Sequence, residues 1–546
     1  MISDTERKAF LARVEALRLR PEALESVRIH IPGGFQHNIP NVDGKINSLQ
    51  IWAHATSNDG YVGVESAKKA LDIYGEPLRR DARIAKLRGA AGERHPAIEH
   101  LETLVERGEP WRVDVIRRNP SKPVPPRVQR AIEETLKRGC PTPFIIYDSQ
   151  PILENARELN DAFSWVPGGF KNYFAVKACP NPTILELLKN HAGMGADCSS
   201  KPELNLSNSV GIRGENIMFT SNDTSIDEFK RARELGAIIN LDDLEHIDCL
   251  ESSAGIPELV FLRYNPGSRR VGNSIIGNPV ESKYGFTHEQ IFEGLTRLKA
   301  KGVKRVGLHT MVASNELNPE YFVETGRMMF SLKREVEKKL GIPIESLNLG
   351  GGLGTPYKHE QRKLDPKEVS RGIQEAYQSM VIGEGLTPAN IFMENGRFIT
   401  GPYGYLVAKV RHVTHKYKDF VGLDACMSNL MRPGMYGAFH HISVLGKEGD
   451  VQDQVYDVTG SLCENNDKFA VNRPLPLITR GDVVVIHNVG AHGYAMGFQY
   501  NGKLRCAEFL IDESEKIRMI RRAETEDDYF ATFDYPGSRF ASLARN

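Results

Sequence analysis

The sequence predicts an α/β protein in which a (β/α)8 barrel is followed by a mainly antiparallel β domain and preceded by a mostly helical extension. Three observations support this prediction. From Thr142 onward, short apolar runs alternate with helical stretches of about 10–20 residues. Eight such runs fit within about 260 residues, which is the usual size of a closed barrel. After Pro402, strand-like runs follow one another with Gly-rich or charged turns and little helix between them.

Overall composition favours a protein that acts on a small molecule. Lys plus Arg and Asp plus Glu both number 70 in 546 residues, so the formal net charge is zero and neither nucleic acid nor an acidic membrane is an expected partner. The seven cysteines are scattered without CxxC spacing, which predicts no disulfide framework and no metal site and is typical of a reducing compartment. Charges throughout residues 1–20 and the lack of an apolar run of about 18 residues argue against a secretory signal or a membrane span, so a cytoplasmic protein is expected.

Residues 1–115 are predicted to form a mostly helical N-terminal extension of unknown role. Ser3 and Glu6 have capping-box spacing, and apolar residues recur at helical intervals after them. This region shows no concentration of residues that carry chemistry. Residues 116–141 are interpreted as a linker and lead-in, because the run Asn119–Pro126 contains four prolines in eight residues.

Residues 142–404 are predicted to form the barrel. Phe144–Tyr147 is interpreted as a lead-in strand that precedes it. Each of the eight strands that follow has a helical segment, or room for one, before the next strand. The eight predicted strands are 172–176, 194–197, 217–220, 237–240, 258–264, 304–309, 345–349 and 390–394.

Reactive side chains fall at the ends of these predicted strands. Lys177 ends the first strand just before Pro180, His309 ends the sixth, and Glu394 and Arg397 follow the eighth. A barrel builds its active site at the C-terminal ends of its strands, so these four side chains are expected to converge. A lysine there can react with a carbonyl cofactor. The ordinary alternatives are a solvent-exposed lysine and a satisfied core histidine.

A glycine run follows the seventh strand, where barrels commonly bind phosphate. Successive glycines, here Gly350, Gly351 and Gly352, let backbone N–H groups turn inward around an anion, although such a run is also found in plain tight turns. Gly396 and Arg397 lie on the neighbouring loop. A phosphorylated cofactor with a carbonyl for the lysine is pyridoxal 5′-phosphate. A carboxylate at position 394 would pair with the pyridine nitrogen, and His309 would stack on the ring.

Six motifs continue from the first predicted strand into the β domain. They are Tyr173–Ala178 (YFAVKA), Asp197–Leu204 (DCSSKPEL), Leu349–Gly352 (LGGG), Glu394–Arg397 (ENGR), Arg432–Tyr436 (RPGMY) and Cys463–Asp467 (CENND). In the order and spacing of these motifs, the chain resembles the fold-type III pyridoxal-phosphate-dependent decarboxylases. This family contains the ornithine, arginine and diaminopimelate decarboxylases, and the resemblance is strongest to the diaminopimelate enzymes. The resemblance covers roughly residues 142–525. It implies a homodimer in which a loop of each subunit completes the partner's active site.

Residues 405–525 are predicted to form the β domain, and residues 526–546 an irregular tail. The predicted strands of this domain are Tyr405–Val413, Gln454–Val458, Asp482–His487 and Leu504–Ile511. The loop that contains Cys463 connects two of them. The resemblance makes Cys463 the proton donor to the carbanion that remains when carbon dioxide leaves, and a thiol can serve in that role. The alternative is a small buried hydrophobic residue.

The charges near this loop suggest a substrate. In the family, ornithine enzymes meet a distal ammonium with acidic residues, and diaminopimelate enzymes meet a distal carboxylate with arginine. This chain offers Arg432 and Tyr436 on one segment and Glu464 on another, and Arg397 is also expected at the substrate. A distal end that carries both charges belongs to meso-diaminopimelate, whose decarboxylation yields L-lysine in lysine biosynthesis. Alternatives are decarboxylation of ornithine, lysine, arginine or a D-configured amino acid, and an inactive regulatory homologue.

Several positions depart from the family pattern or complete it. The family serine after the sixth strand is replaced by a longer segment that reaches Ser314, and Asn395 stands where the family has proline. Ser200, at the end of the second strand, is expected to contact the cofactor. The family tyrosine near the C-terminus corresponds to the segment that contains His492 and Tyr494, so either residue is expected at the cofactor.

Overall fold

The computed structural model describes residues 24–30, 36–40, 61–62, 111–117, 122–273 and 275–534. Strands β1 (Leu24–His30), β2 (Gln36–Pro40), β3 (Tyr61–Val62) and β4 (Trp111–Arg117) form an antiparallel sheet in the order β2-β1-β4-β3. The described parts of this region are therefore strands, where the sequence pattern predicted mostly helix. The helix predicted near Ser3 lies outside the described residues.

The barrel closes as predicted, with all of its strands parallel. Their order around the barrel is their order in the chain, and the last strand pairs with the first. The predicted strands match the observed ones to within two residues at each end. The observed strands are β6 (Phe170–Ala175), β7 (Gly195–Cys198), β8 (Ile217–Thr220), β9 (Ile238–Leu241), β10 (Leu259–Tyr264), β11 (Arg305–Thr310), β12 (Ser346–Asn348) and β13 (Asn390–Met393).

A distinct cluster of buried apolar side chains joins strands from different parts of the barrel. It includes Tyr173, Met218, Ile238 and Phe261, and Phe392 packs against it. A Cβ on Gly307 of β11 would overlap the ring of Phe261 on the neighbouring strand, so a glycine is needed there for the ring to fit. Large side chains thus fill the space between these strands, and the reactive groups lie at the strand ends.

Helices follow most barrel strands, and many begin at a side-chain cap. Asn181 caps the helix after Lys177 by accepting from Thr183 N at 3.0 Å, and that helix ends at Gly193, whose φ is 62°. None of the helices in the described segments is long and apolar enough to cross a lipid bilayer. The α-helices are Pro126–Lys137, Ser149–Ala162, Pro182–Ala192, Lys201–Ser209, Ile226–Glu234, Leu244–Ala254, His288–Ala300, Pro319–Leu340, Pro366–Tyr377, Arg397–Thr400, Arg432–Tyr436 and Glu526–Phe530.

The remaining nine strands form the second sheet, which is mixed but mainly antiparallel. The strands are β5 (Phe144–Asp148), β14 (Gly404–His415), β15 (Asp419–Leu423), β16 (Ile442–Val444), β17 (Gln454–Thr459), β18 (Lys468–Leu475), β19 (Val483–Ile486), β20 (Ala507–Ile511) and β21 (Ile517–Arg521). The main path of the sheet is β18-β17-β15-β14-β5-β20-β21, while β19 pairs with β14 and β16. Two neighbouring pairs, β15–β17 and β5–β20, are parallel.

Three segments differ from their sequence-based description. The lead-in strand Phe144–Asp148 lies inside the β domain's sheet, between β14 and β20, and all five of its residues are buried. The predicted linker contains the helix Pro126–Lys137, whose face bearing Val128 and Ile132 is buried in a cluster with this sheet. The start of the predicted irregular tail is the short helix Glu526–Phe530, because Thr525 forms a capping box with Asp528.

Candidate active site

Lys177 lies at the C-terminal end of the first barrel strand. Strand β6 ends at Ala175, and a single helical turn, Val176–Ala178, follows before Pro180 stops it. In this turn the side chains of Val176 and Ala178 are buried, whereas Lys177 is exposed. The next residue is held by the β domain, because His492 N donates to the carbonyl of Ala178 at 2.8 Å. The β domain therefore contacts the turn that carries Lys177.

A chain of buried polar side chains connects His309 and Glu394. Asn240 Nδ2 lies 2.8 Å from His309 Nδ1, and His309 Nε2 lies 3.1 Å from Glu394 Oε2. Because the amide nitrogen is a donor, Nδ1 accepts, and the ring donates its Nε2–H to the carboxylate. Asn348 Nδ2 donates to Glu394 Oε1 at 2.7 Å. Both carboxylate oxygens are therefore held from the neighbouring strands β11 and β12.

The two buried carboxyl groups near Lys177 have opposite pKa shifts. Burial raises the pKa of Glu394, but His309, Lys177 and Asn348 outweigh this effect and bring it below the ordinary value. Burial raises the pKa of Asp197 well above its ordinary value, and the charge of Glu394 raises it further. Like charges buried near each other oppose joint ionisation, so the site favours the negative charge on Glu394 and the proton on Asp197. Asp197 Oδ1 is buried without a partner among the described residues.

The glycine run lets three strand-end segments approach each other closely. Gly350 and Gly352 have φ values of 71° and 105°. A Cβ on Gly350 would overlap the carbonyl oxygen of Thr310, and one on Gly352 would lie 2.6 Å from that of Ala313. On Gly351 it would overlap the carbonyl oxygen of Glu394. The run is thus needed for packing against the segments after β11 and β13, in addition to any anion it binds.

Asn395, which stands where the family has proline, joins the first, seventh and eighth strands. Its Oδ1 accepts from Leu353 N at 3.1 Å. Its backbone N–H donates to Asn172 Oδ1 at 2.9 Å, and Asn172 Nδ2 donates back to the Asn395 carbonyl at 3.1 Å. Proline has no N–H for this exchange. The departure is therefore matched by a local hydrogen-bond network that holds the glycine loop to β6.

Arg397 and Arg432 meet at one phenol oxygen. Tyr357 Oη accepts from Arg397 Nη1 at 3.1 Å and from Arg432 Nη1 at 3.0 Å. The guanidinium of Arg432 also lies 4.8 Å from the centre of the Tyr357 ring. Its Nη1 lies 2.9 Å from His440 Nε2. Arg432 is buried, and this burial lowers the pKa of its guanidinium.

His492 and Tyr494 have different surroundings. Burial lowers the pKa of His492 well below its ordinary value, and the charges of Arg397, Arg432 and Lys177 lower it further. His492 adopts a left-handed φ of 54°. The Tyr494 ring instead has a guanidinium near it from each of two other residues, Arg505 at 4.7 Å and Arg521 at 4.3 Å. Of the two candidates for the family tyrosine, His492 is the one that lies near Lys177, Arg397 and Arg432.

The serine positions have local structural contacts. Ser200 is the N-cap of the helix Lys201–Ser209, where its hydroxyl accepts from Glu203 N at 3.5 Å. The backbone of Ser314 pairs with the side chain of Asn273, whose Nδ2 donates to the Ser314 carbonyl at 2.6 Å. The segment that replaces the shorter family loop thus packs against the loop after β10.

Cys463 and Glu464 are exposed on the β domain. Cys463 N donates to Asn501 Oδ1 at 2.7 Å, and Glu464 Oε1 accepts from Asn466 N at 2.9 Å. The loop packs against the segment that contains Arg432, because a Cβ on Gly434 would overlap the carbonyl oxygen of Asn466. Tyr436, on the same segment, is 64% exposed. The structure thus brings Lys177, Glu394, Arg397, Arg432 and His492 together. It places Cys463, Glu464 and Tyr436 on the surface of this chain.

Sequence reasoning missed Tyr357, Asn348 and Asn240 as members of this site. Asn240 and Asn348 are the final or penultimate residues of predicted strands, the same signal that identified His309. Tyr357 lies on the loop after the glycine run, and nothing in its local pattern points toward two arginines on other segments. A site of this kind offers an exposed amine, a charged buried carboxylate, a glycine-lined turn and two guanidinium groups. These groups fit a ligand that has a carbonyl, a basic ring nitrogen and a phosphate.

Comparisons with known proteins agree with this chemistry. A model of the pyridoxal-dependent decarboxylase family, pyridoxal binding domain, matches residues 150–401. The protein TabA of Pseudomonas amygdali pv. tabaci is 42% identical over 72% of this chain and 92% of its own length. Diaminopimelate decarboxylase of Methanothermobacter thermautotrophicus is 33% identical over 71% of this chain and 90% of its own. The crystal structure of diaminopimelate decarboxylase from M. jannaschii with L-lysine has a TM-score of 0.68 and 28% identity, over 74% of this chain and 94% of that one.

Proposed function

Because the chain belongs to the fold-type III pyridoxal-phosphate-dependent decarboxylases, we propose that it converts meso-diaminopimelate to L-lysine and carbon dioxide. The observation that supports this substrate concerns Arg432, whose guanidinium is buried near the C-terminal end of the barrel. The Nε–Nη2 edge of this guanidinium has no hydrogen-bond partner among the described residues. A substrate with a distal carboxylate would satisfy that edge bidentately, whereas ornithine or lysine would leave it unpaired. Relatives that are named diaminopimelate decarboxylase, at 33% and 32% identity, support the same substrate.

The residues of the site have complementary roles in this reaction. When bound, pyridoxal phosphate supplies an aldehyde for the substrate amine and a protonated ring that accepts the electron pair left by carbon dioxide. Lys177 would hold the cofactor through Nζ. Glu394, whose charge is favoured by His309 and Asn348, would pair with the ring nitrogen. Gly350, Gly351, Gly352, Gly396 and Arg397 are proposed to bind the phosphate, with contributions from Ser200 and His492.

Substrate contacts are proposed at the opposite end of the site. Arg432 and Tyr436 bind the distal carboxylate, and Arg397 lies within reach of the same oxygen of Tyr357. Glu464 binds the distal ammonium. Cys463 returns the proton to the α-carbon after decarboxylation, and its exposed position on the β domain is compatible with a site completed across a subunit interface. A homodimer with shared active sites is therefore part of the proposal.

An assay of carbon dioxide release tests the substrate directly. Purified protein is supplied with pyridoxal phosphate and then with meso-diaminopimelate, ornithine, arginine or lysine at equal concentrations. We expect turnover of meso-diaminopimelate to exceed that of the others by at least about tenfold in kcat/KM, the share that one charge-assisted contact supplies. A preference for ornithine or lysine would replace the proposed substrate, and no turnover of any of them would favour an inactive homologue.

Replacing Arg432 by methionine should change the substrate preference. Methionine keeps much of the apolar stem but removes the charge, and a charge-assisted contact is worth about 1.5–3 kcal/mol. We therefore expect kcat/KM for meso-diaminopimelate to fall by at least about tenfold, while slow turnover of lysine is unchanged or improved.

The matched control for this variant is Arg473→Met. Arg473 is also buried, and it donates to the carbonyl of His440 at 2.7 Å, but it has no contact with Tyr357 among those described. The Arg473→Met variant should have a lower thermal stability, but the ratio of its kcat/KM values for meso-diaminopimelate and lysine should be unchanged. An equal loss of activity toward both substrates in Arg432→Met would show that the arginine is structural.

Mixing two inactive variants should restore activity if Cys463 acts across a subunit interface. Lys177→Ala and Cys463→Ala each remove one essential group, and a heterodimer of the two would contain one intact composite site. We expect about a quarter of the wild-type activity after complete exchange of equal amounts, because half of the dimers are then mixed. Subunit exchange is verified by mass spectrometry. No recovery after verified exchange would place Cys463 in its own subunit's site or outside the reaction.

A further inference from the structure

Tyr357 fixes the orientation of two arginines from different segments. Its loop follows the glycine run, Arg397 begins the helix after β13, and Arg432 begins the helix Arg432–Tyr436 of the β domain. The two Nη1 atoms lie 3.1 Å and 3.0 Å from the same phenol oxygen, so they are no more than about 6 Å apart. A phenol oxygen has two lone pairs, and both are used by these contacts. One hydroxyl group thus links a residue of the barrel with a residue of the β domain.

His440 completes the constraint on Arg432. His440 Nδ1 lies 2.8 Å from the carbonyl oxygen of His487, which can only accept, so Nδ1 carries the hydrogen and Nε2 has a free lone pair. That lone pair faces Arg432 Nη1 at 2.9 Å. Burial and the charge of Arg432 lower the pKa of His440 to about 3, so the ring stays neutral at physiological pH.

Both hydrogens of Arg432 Nη1 therefore have acceptors. The guanidinium cannot present its Nη1–Nη2 end to a second anion without breaking one of these bonds. Its Nε–Nη2 edge remains available, because it has no partner in the described part of the chain. Removing the Tyr357 hydroxyl would free one Nη1 hydrogen and allow the plane of the guanidinium to turn. The hydroxyl thus selects which edge of Arg432 is offered.

From this juxtaposition we infer that Tyr357 is a positioning residue that sets the preference for a substrate with a distal carboxylate. It acts through Arg432, whose Nε–Nη2 edge it directs, and it fixes that edge relative to Arg397. The inference rests on the proposed function, because it assigns the distal carboxylate to Arg432. Tyr357 need not touch the substrate to have this effect.

The variant Tyr357→Phe removes the hydroxyl and keeps the ring. The phenyl ring can still lie against the Arg432 guanidinium and keep its edge contact with His440, whose ring centre is 5.1 Å away. We expect KM for meso-diaminopimelate to rise by about tenfold while kcat changes by less than about twofold, since one charge-assisted hydrogen bond is lost. Turnover of lysine, which differs only by the missing distal carboxylate, should be unchanged.

A second tyrosine provides the matched control. Tyr377 Oη donates to the carbonyl of Ala389 at 3.0 Å and accepts from its N–H at 2.8 Å, and the side chain is buried in the barrel's main core cluster. Tyr377→Phe should lower the melting temperature and leave the ratio of kcat/KM values for the two substrates unchanged. If Tyr357→Phe and Tyr377→Phe change this ratio of kcat/KM values to a similar extent, the effect of Tyr357→Phe is a loss of packing and the inference is wrong.

A double-mutant cycle separates a direct contact from an effect through Arg432. If Tyr357 acts through the arginine, adding Tyr357→Phe to Arg432→Met should cause less than about a twofold further loss of selectivity. Two independent losses that multiply would contradict the inference, because Tyr357 would then contribute on its own.

Binding of pimelate to the holoenzyme makes the test independent of turnover. Pimelate has the two carboxylates of the substrate and no amine, and its affinity is measured by calorimetry. We expect Tyr357→Phe to weaken binding by about tenfold and Tyr377→Phe to leave it unchanged. If the wild-type enzyme prefers a substrate without a distal carboxylate, the proposed function fails, yet this loss would still support the role of Tyr357. Unchanged pimelate affinity overturns the inference whatever substrate is preferred.

Discussion

Replacing Lys177 by alanine is expected to abolish both decarboxylation and covalent retention of the cofactor. The side chain is exposed at the strand end, its flanking residues are buried, and its charge interacts with Asp197 and Glu394, so the fold presents this amine beside the buried carboxyl groups. We expect kcat to fall by at least about 1,000-fold, as for loss of other covalent groups. Reduction with borohydride followed by mass spectrometry should find the cofactor on the wild-type chain and none on the variant.

Lys171 is the matched control for this experiment. It lies on the same strand, β6, near the opposite end, and its Nζ donates to Asn216 Oδ1 at 2.5 Å. Lys171→Ala should retain activity within about threefold and keep the reducible cofactor. If Lys177→Ala still traps pyridoxal phosphate covalently, another amine holds the cofactor and the assignment of Lys177 is wrong.

The barrel could be predicted because its strands are short, apolar and regularly spaced. Most residues of these strands are buried, and turn residues or helix caps follow several of them, such as Pro180 after β6 and Ser200 after β7. The candidate site could be predicted for the same reason, since Lys177, His309 and Glu394 end their strands. Residues that end parallel strands of one barrel meet at one mouth.

The partner of the lead-in strand could not be predicted from local pattern. Phe144–Asp148 is apolar throughout, as a strand buried on both faces must be, and this is equally compatible with the barrel and with a second sheet. Its place between β14 and β20 depends on pairing with residues more than 250 positions away. Tyr357 was missed for a related reason. Its role depends on two arginines that only the tertiary fold brings to its hydroxyl.

The departures from the family pattern have physical explanations that sequence alone did not show. Asn395 replaces a proline, and its side chain and N–H together hold the glycine loop to the first strand. His492 lies near Arg397, Arg432 and Lys177, whereas Tyr494 lies against Arg505 and Arg521. Asn395 is thus accommodated by hydrogen bonds with β6 and with the loop after β12, and burial beside three cations favours the neutral form of His492.

Glu394→Gln is expected to lower the turnover rate strongly. The carboxylate accepts from His309 Nε2 and Asn348 Nδ2, one donor for each oxygen. A glutamine has one accepting oxygen, so its amide N–H groups must face one of these two donors, and the charge opposite the ring nitrogen is lost. Removing a preorganised electrostatic partner costs on the order of 100-fold in kcat. We expect that loss with little change in KM, measured by carbon dioxide release at saturating cofactor.

The control is Glu345→Gln. Glu345 pairs with Arg305 at 2.8 Å just before β12, at the end of the barrel opposite the mouth, and its loss should leave kcat within about twofold. An equal loss of kcat in both variants would show that the effect of Glu394→Gln is a general one on the barrel and not one on the reaction.

The pH dependence of stability provides an independent test of the charge on Glu394. Its pKa is lowered in the folded chain, because His309, Lys177 and Asn348 outweigh the opposing effect of burial. A group of this kind contributes stability that is fully present above its unfolded pKa, about 4.3, and is lost as pH falls through the folded value. The difference in unfolding free energy between wild type and Glu394→Gln should therefore be constant near pH 7 and shrink in acid, as measured by urea titration of the cofactor-free proteins. A difference that grows toward acid would mean that folding raises the pKa of Glu394, and the surroundings of this carboxyl group would then oppose the negative charge assigned to it.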